Sequence, residues 1–85
     1  MESTIKTALI TGAGSGIGRA VAQALAKDNW TLILTGRREA SLKETAGLCI
    51  KNGHLIFPAD ITSPESVKAL FEKIQEKYGR LDLLF

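Results

Sequence analysis

One cysteine, Cys49, excludes an internal disulfide, and its isolation fits a reducing compartment. One histidine, His54, has no second ligand at a recognisable spacing, which argues against a metal centre. Aromatic residues make up only 6% of the chain and the formal net charge is only +2. Without a basic stripe interleaved with aromatics, nucleic-acid binding is excluded as a main role, and so is an anionic membrane surface. No apolar run approaches the roughly 18 residues of a membrane span. The start, Met1-Glu2-Ser3-Thr4-Ile5-Lys6, lacks a signal-peptide core, so a cytoplasmic setting is expected. No repeat, linker or low-complexity segment interrupts the sequence. What remains, 45% hydrophobic and 24% charged, is the balance of one small globular domain over residues 1–85.

Glycine is the residue in supply. Gly12, Gly14, Gly16 and Gly18 follow the apolar run Ala8-Leu9-Ile10 and precede a helical pattern. A strand, a tight turn and a helix start in that order make an anion site. The turn lets backbone approach a phosphate, and the helix N-terminus aims unpaired N–H groups at it. The spacing is Gly-x-x-x-Gly-x-Gly. It is not Gly-x-Gly-x-x-Gly, whose third position would fall on Ile17 or Arg19. Nor is it an ATP-type phosphate loop, since Arg19-Ala20 follows Gly18 where Lys and Ser or Thr are needed.

Ile5 to Thr11 reads as a buried strand, and Ile17 to about Lys27 as a helix with Ile17, Ala20, Val21, Ala24 and Leu25 on its packing face. Asp28-Asn29 ends that helix. Trp30 to Thr35 forms a second strand stopped by Gly36. A helix from about Glu39 to Lys51 presents Leu42, Ala46, Cys49 and Ile50, with Gly53 as its stop. His54 to Pro58 is a third strand, and Ala59-Asp60-Ile61-Thr62 leaves it as a loop. Ser63-Pro64-Glu65 then combines an N-cap, a proline at the first helical position and an early carboxylate. The stripe Val67, Leu70, Phe71, Ile74 and Tyr78 follows, closed by Gly79 before a fourth strand at Asp82-Leu83-Leu84-Phe85. The order βαβαβαβ implies parallel strands and right-handed crossovers. The expected fold class is therefore α/β: the first half of a doubly wound, Rossmann-type parallel sheet, stopping within the fourth strand. Within it, Trp30 and Phe71 read as core, Cys49 as a small apolar side chain, and His54 as an ordinary edge or surface residue.

Three motifs at these positions resemble the short-chain dehydrogenase/reductase family. Thr11-Gly12-x-x-x-Gly16-Ile17-Gly18 matches its cofactor loop, Asp60-Ile61 the pair after its third strand, and Gly79-Arg80-Leu81-Asp82 the lead-in to its fourth. The resemblance implies NAD(P)-dependent hydride transfer at a carbonyl or alcohol. It implies that Gly12 makes the turn and that Gly16, Ile17 and Gly18 bring backbone to the pyrophosphate. It places Ser15 at the adenosine ribose or its phosphate, and Asp60 and Ile61 at the adenine. It also implies a homo-oligomer for the full-length protein. The family's catalytic Asn, Ser, Tyr and Lys, and its Asn-Asn-Ala-Gly motif, lie beyond Phe85, so no catalytic residue is assigned to this chain.

The end of the second strand decides the cofactor. An acid there would bind the ribose 2′-OH of NAD, whereas arginine accommodates the 2′-phosphate of NADP. Here Gly36 is followed by Arg37-Arg38, with no acid before Glu39. Two guanidiniums suited to bidentate phosphate contact argue for NADP, with Arg37 the better candidate. Cations at a helix N-terminus are otherwise mildly unfavourable, so their placement asks for a reason. The competing reading is a non-catalytic nucleotide-binding or interaction module from a truncated product. On either reading the isolated chain is expected to turn over no substrate. A chain of this length buries only about 60–65% of its unfolded surface, and the fourth strand leaves an open edge. The 85-residue chain alone is accordingly expected to melt broadly; a sharp, reversible two-state transition at low protein concentration would contradict this.

Overall fold

In the computed structural model, which describes residues 5–50 and 53–85, seven elements alternate as expected. They are β1 (Thr7–Ile10), α1 (Gly16–Lys27), β2 (Thr31–Gly36), α2 (Glu39–Leu48), β3 (Leu55–Pro58), α3 (Pro64–Lys77) and β4 (Leu83–Leu84). All pairings are parallel and the sheet order is β3-β2-β1-β4. The chain thus winds outward from β1 to β3, then crosses to the other side of β1. That reversal is the switch point at which doubly wound sheets bind ligands.

The inner strands β1 and β2 are short and apolar because both their faces are covered, whereas Leu83 and Leu84 of the outer β4 are exposed. Ala8, Ile10, Leu32 and Leu34 point to one face and pack with Ala22, Ala26 and Leu42 from α1 and α2. Leu9 and Ile33 point to the other and meet Leu70 and Ile74 of α3. Each fully buried Leu or Ile among them stabilises the fold by about 1.5–3 kcal/mol, and each alanine by much less. Helix ends follow local chemistry. The Ser63 hydroxyl accepts from the Ser66 N–H, with Pro64 at the first helical position. Asn29 takes a left-handed φ of 65° after α1, while Trp30 and Asn29 donate to the Leu25 and Ala26 carbonyls in a Schellman cap.

Several expectations need correction. The buried stripe of α1 is Gly18, Ala22 and Ala26, not Ala20 and Ala24, which are exposed along with Ile17. The smallest side chains take the side nearest the sheet, which turns the helix about one position from the hydrophobic maximum. α2 ends at Leu48, short of Gly53, so Ile50 is 71% exposed and off the packing face. The expected last residue of that helix, Lys51, lies outside the described residues. Cys49 caps the helix, packed against the core, and burial pushes its thiol up, which suits an inert apolar role. Trp30 packs on the same core with the Lys6 ammonium over its ring at 5.4 Å, but Phe71 is 41% exposed and is not core. Leu70 and Ile74 fill the space over the sheet, and Phe71 falls beyond it. His54 sits just ahead of β3, where its Nδ1 accepts from the Leu32 N–H at 3.1 Å, standing in for a carbonyl of the ladder.

At the N-terminal end of the sheet, Asp82 joins β4 to β1. Its Oδ2 accepts from the Thr7 N–H at 2.8 Å, and Arg80 donates to both carboxylate oxygens, at 3.0 and 2.6 Å. The Thr7 hydroxyl completes the joint by donating to the Arg80 carbonyl. The Arg80 guanidinium, with help from the Thr7 N–H, holds the Asp82 carboxyl below the usual carboxylate range. A carboxyl whose folded pKa is depressed contributes stability above its unfolded pKa, and loses it as pH falls through the folded value. Thermal melts recorded from pH 6 downward are expected to show an acid-side loss of Tm that Asp82→Asn flattens. An unchanged acid limb in that variant would show that the joint carries no weight.

Candidate cofactor site

The site forms where β1, β2 and β3 end. Gly12 turns the chain out of β1 with φ at +60°, and Gly16 opens α1 at +57°; both are left-handed values that other residues resist. Gly18 serves a different purpose. It is buried under the turn, and a Cβ there would strike the Gly12 carbonyl, so only glycine lets α1 cross this close. Ser15 caps α1 in an extended conformation without a side-chain cap bond, and α1 has no acidic residue in its first turn. The helix N-terminus therefore keeps its partial positive charge and its orphan N–H groups.

Neighbouring loops are laced together by backbone. The Ala13 N–H donates to the Thr35 carbonyl at 3.2 Å, and the Ala59 N–H to the Gly36 carbonyl at 2.9 Å. At the switch point the Thr11 N–H and hydroxyl both donate to the Phe85 carbonyl, at 2.9 and 2.7 Å. Two clefts open beside this frame. One, of about 360 Å³, lies between the glycine turn and the start of α2, with Gly14 and Ser15 on one wall and Arg38 and Ser41 on the other. The second, of about 320 Å³, is bounded by Ala59, Ile61 and Thr62. Gly12, Gly36 and Arg37 border both, so the two form one continuous groove.

The structure thus brings Gly12, Ser15, Arg37, Arg38 and Ile61 to the groove. Gly16 and Ile17 stand at the adjoining helix start, with Ile17 75% exposed, and Gly18 lies beneath. Asp60 is next to the groove, in a neighbouring cleft that shares Arg37 and Ala59 with it. Its Oδ1 accepts from the Thr62 hydroxyl at 2.6 Å and the Thr62 N–H at 2.9 Å, and meets the Arg37 guanidinium at 3.4 Å. The Thr62 bonds, with Arg37 adding to them, hold the Asp60 carboxyl below its ordinary range, so it is an ionised acceptor near neutrality. Asp60 therefore caps its own loop and lines a separate cleft with Arg37, Pro58, Ala59 and Ser66, so the structure does not place it in the groove itself. The Arg37–Asp60 pair escaped sequence reasoning because its members are on different loops. Both are substantially exposed, so water and salt screen the pair and it yields readily to a stronger anion. Also unforeseen were Thr11, Ser41 and Thr62, whose roles depend on which strand ends lie side by side.

A family model for short chain dehydrogenases matches residues 6–85. The chain belongs to the short chain dehydrogenase family. Over 85 aligned residues it is 44% identical to a 3beta-hydroxysteroid dehydrogenase of Mediterraneibacter gnavus, covering 92% of this chain and 29% of that protein. Among solved structures it is similar to a 3-ketoacyl-(acyl-carrier-protein) reductase of Brucella melitensis, complexed with NADH. The TM-score there is 0.84 with 38% identity, covering 93% of this chain and 32% of the other. It is similar also to an alcohol dehydrogenase of the archaeon Thermococcus sibiricus, complexed with 5-hydroxy-NADP. That match has a TM-score of 0.83 and 37% identity, covering 95% of this chain and 36% of the other. The chain spans about a third of the length of the curated relatives it matches.

The close crossing gives a direct test of the dehydrogenase turn. Gly18→Ala should lower stability by about 1–3 kcal/mol through overpacking against backbone that cannot swing aside. Chemical denaturation of the variant measures this, and a loss below about 0.5 kcal/mol would mean that the turn tolerates the added methyl.

Proposed function

We propose that residues 1–85 are the NADP-binding part of a short-chain oxidoreductase that moves hydride between NADP(H) and a carbonyl or alcohol substrate. Family membership supports the reaction class. The observation that carries the cofactor reading is the basic end of β2: Arg37 and Arg38 border the groove, and no carboxylate of β2 faces it. Solved relatives are complexed with NADH or with an NADP derivative, so the preference rests on this chain's own charges. Arginine forks match the 2′-phosphate, which a carboxylate would repel.

The groove fits the rest of the molecule by its chemistry. The glycine turn and the helix start offer backbone N–H groups to the pyrophosphate through Gly12, Gly16, Ile17 and Gly18, with Ser15 beside the adenosine ribose. The section bounded by Ala59 and Ile61 is apolar and suits the adenine, and the ionised Asp60 lies in the next cleft, which shares Arg37 and Ala59 with it. Bound NADPH would supply the hydride. The residues of this chain hold and orient the cofactor, and the chain alone turns over no substrate. The complete protein is read as a cytoplasmic homo-oligomer acting on a small molecule. No helix among the described residues is long and apolar enough to cross a membrane.

Charge reversal tests the cofactor reading. Arg37→Asp is expected to lower the ratio of NADP to NAD affinity at least tenfold, measured by titrating each cofactor into wild type and variant. If Arg37→Asp leaves the ratio unchanged and Arg38→Asp lowers it, Arg38 is the reader. If neither moves it, the NADP assignment fails.

A further inference from the structure

Behind the glycine turn lies a network that the cofactor reading above does not use. The Arg19 side chain, only 25% exposed, reaches back from α1 toward α2. Its Nη2 donates to the Gly14 carbonyl at 2.6 Å and to Glu44 at 2.8 Å, with the Ser41 carbonyl at 3.4 Å. Its Nε donates to the Thr45 hydroxyl at 2.9 Å, and that hydroxyl donates in turn to the Ala13 carbonyl at 2.6 Å. Thr45 is fully buried. A threonine within a helix commonly returns its hydroxyl to the carbonyl one turn back; this one spends it on the turn after β1.

The consequence follows from the planarity of the peptide. A carbonyl and the next residue's N–H point in opposite directions across one rigid unit. Holding the Ala13 carbonyl toward α2 turns the Gly14 N–H away from it, and holding the Gly14 carbonyl does the same for the Ser15 N–H. Among the described residues neither N–H has a backbone partner, and both residues line the groove. The turn carries several glycines and is free to flip these units unless something fixes them.

We propose that Arg19 and Thr45 are positioning residues that aim the Gly14 and Ser15 amides at the cofactor's pyrophosphate, beside those of Gly16, Ile17 and Gly18, while the Ser15 hydroxyl stays with the adenosine ribose. They touch no ligand themselves. Their action is to keep two carbonyls out of an anion site, where either would repel phosphate oxygens. Glu44 holds the guanidinium in place, and the contact between Gly14 and Ser41 keeps the turn seated on α2, since a Cβ on Gly14 would come within 2.9 Å of the Ser41 Cβ. This proposal rests on the cofactor reading above.

The test compares two ligands in the full product of the reading frame. NADP+ carries a pyrophosphate, whereas 2′-AMP carries only the adenine, ribose and 2′-phosphate. Thr45→Val, which keeps the shape and removes the hydroxyl, should weaken NADP+ about tenfold and leave 2′-AMP within about twofold. Thr45→Ser should restore NADP+ binding. Arg19→Met, at a partly exposed position, should repeat the Thr45→Val pattern, with the Gly14 and Ser15 amide resonances shifted and the remaining spectrum retained. Unchanged NADP+ affinity in both variants would overturn the proposal. So would a parallel loss of both ligands, or a failure of Thr45→Ser to restore. A wild-type protein that binds neither ligand would instead bring down the cofactor reading, and this inference with it.

Discussion

Everything at the C-terminal edge of the sheet depends on how closely α1 crosses the turn that precedes it. The Gly12 carbonyl lies against the Cα of Gly18 with no room for a methyl group. That contact sets which side of α1 faces the sheet. Ala22 and Ala26, one and two turns further on, then become the buried stripe, and small side chains keep the helix low along its length. A helix held this near to β1 brings its N-terminus to the mouth of the groove. Its orphan N–H groups and partial positive charge are then concentrated where an anion would sit.

The opposite end of the sheet is managed with charge. Asp82, Arg80 and Thr7 tie the entry of β4 to the start of β1, and at the other end of the same two strands Thr11 ties to Phe85. Polar joints thus brace β4 at both ends of its pairing with β1, leaving the middle to Leu83 and Leu84. The arrangement suits a strand at the switch point, where the order of the sheet reverses about β1.

Around the groove, polar groups divide by depth. Behind the turn, the buried Thr45 holds the Ala13 carbonyl, and the half-buried Arg19 holds the Gly14 carbonyl, the Thr45 hydroxyl and the Glu44 carboxylate. Arg37 and Arg38 stand at its rim, where Arg37 makes only a long, exposed contact to Asp60. Inner groups of this kind fix geometry, while outer ones keep charge available for a ligand. Arg19 and Arg37 are the same residue type, and only their surroundings make one a half-buried cross-link and the other an exposed charge.

The sequence by itself determined the order of elements, the parallel sheet and the position of the glycine turn ahead of α1. Each follows from local signals: apolar runs of strand length, the Ser63-Pro64-Glu65 start, and glycines that only a turn can use. It also determined the basic character of the rim, since Arg37-Arg38 directly follows the Gly36 that ends β2. Composition alone could not say which alanines of α1 would be buried, because close packing at Gly18 outweighs the hydrophobic pattern. Nor could it foretell that Phe71 and Ile50 would be exposed, for that depends on how far the sheet and α2 extend. Only the tertiary structure paired Arg37 with Asp60 and carried Arg19 to Thr45. Those contacts join residues 23 and 26 positions apart on separate elements. No periodicity reports them, and they exist because the fold sets the loops after β2 and β3 side by side and lays α1 against α2.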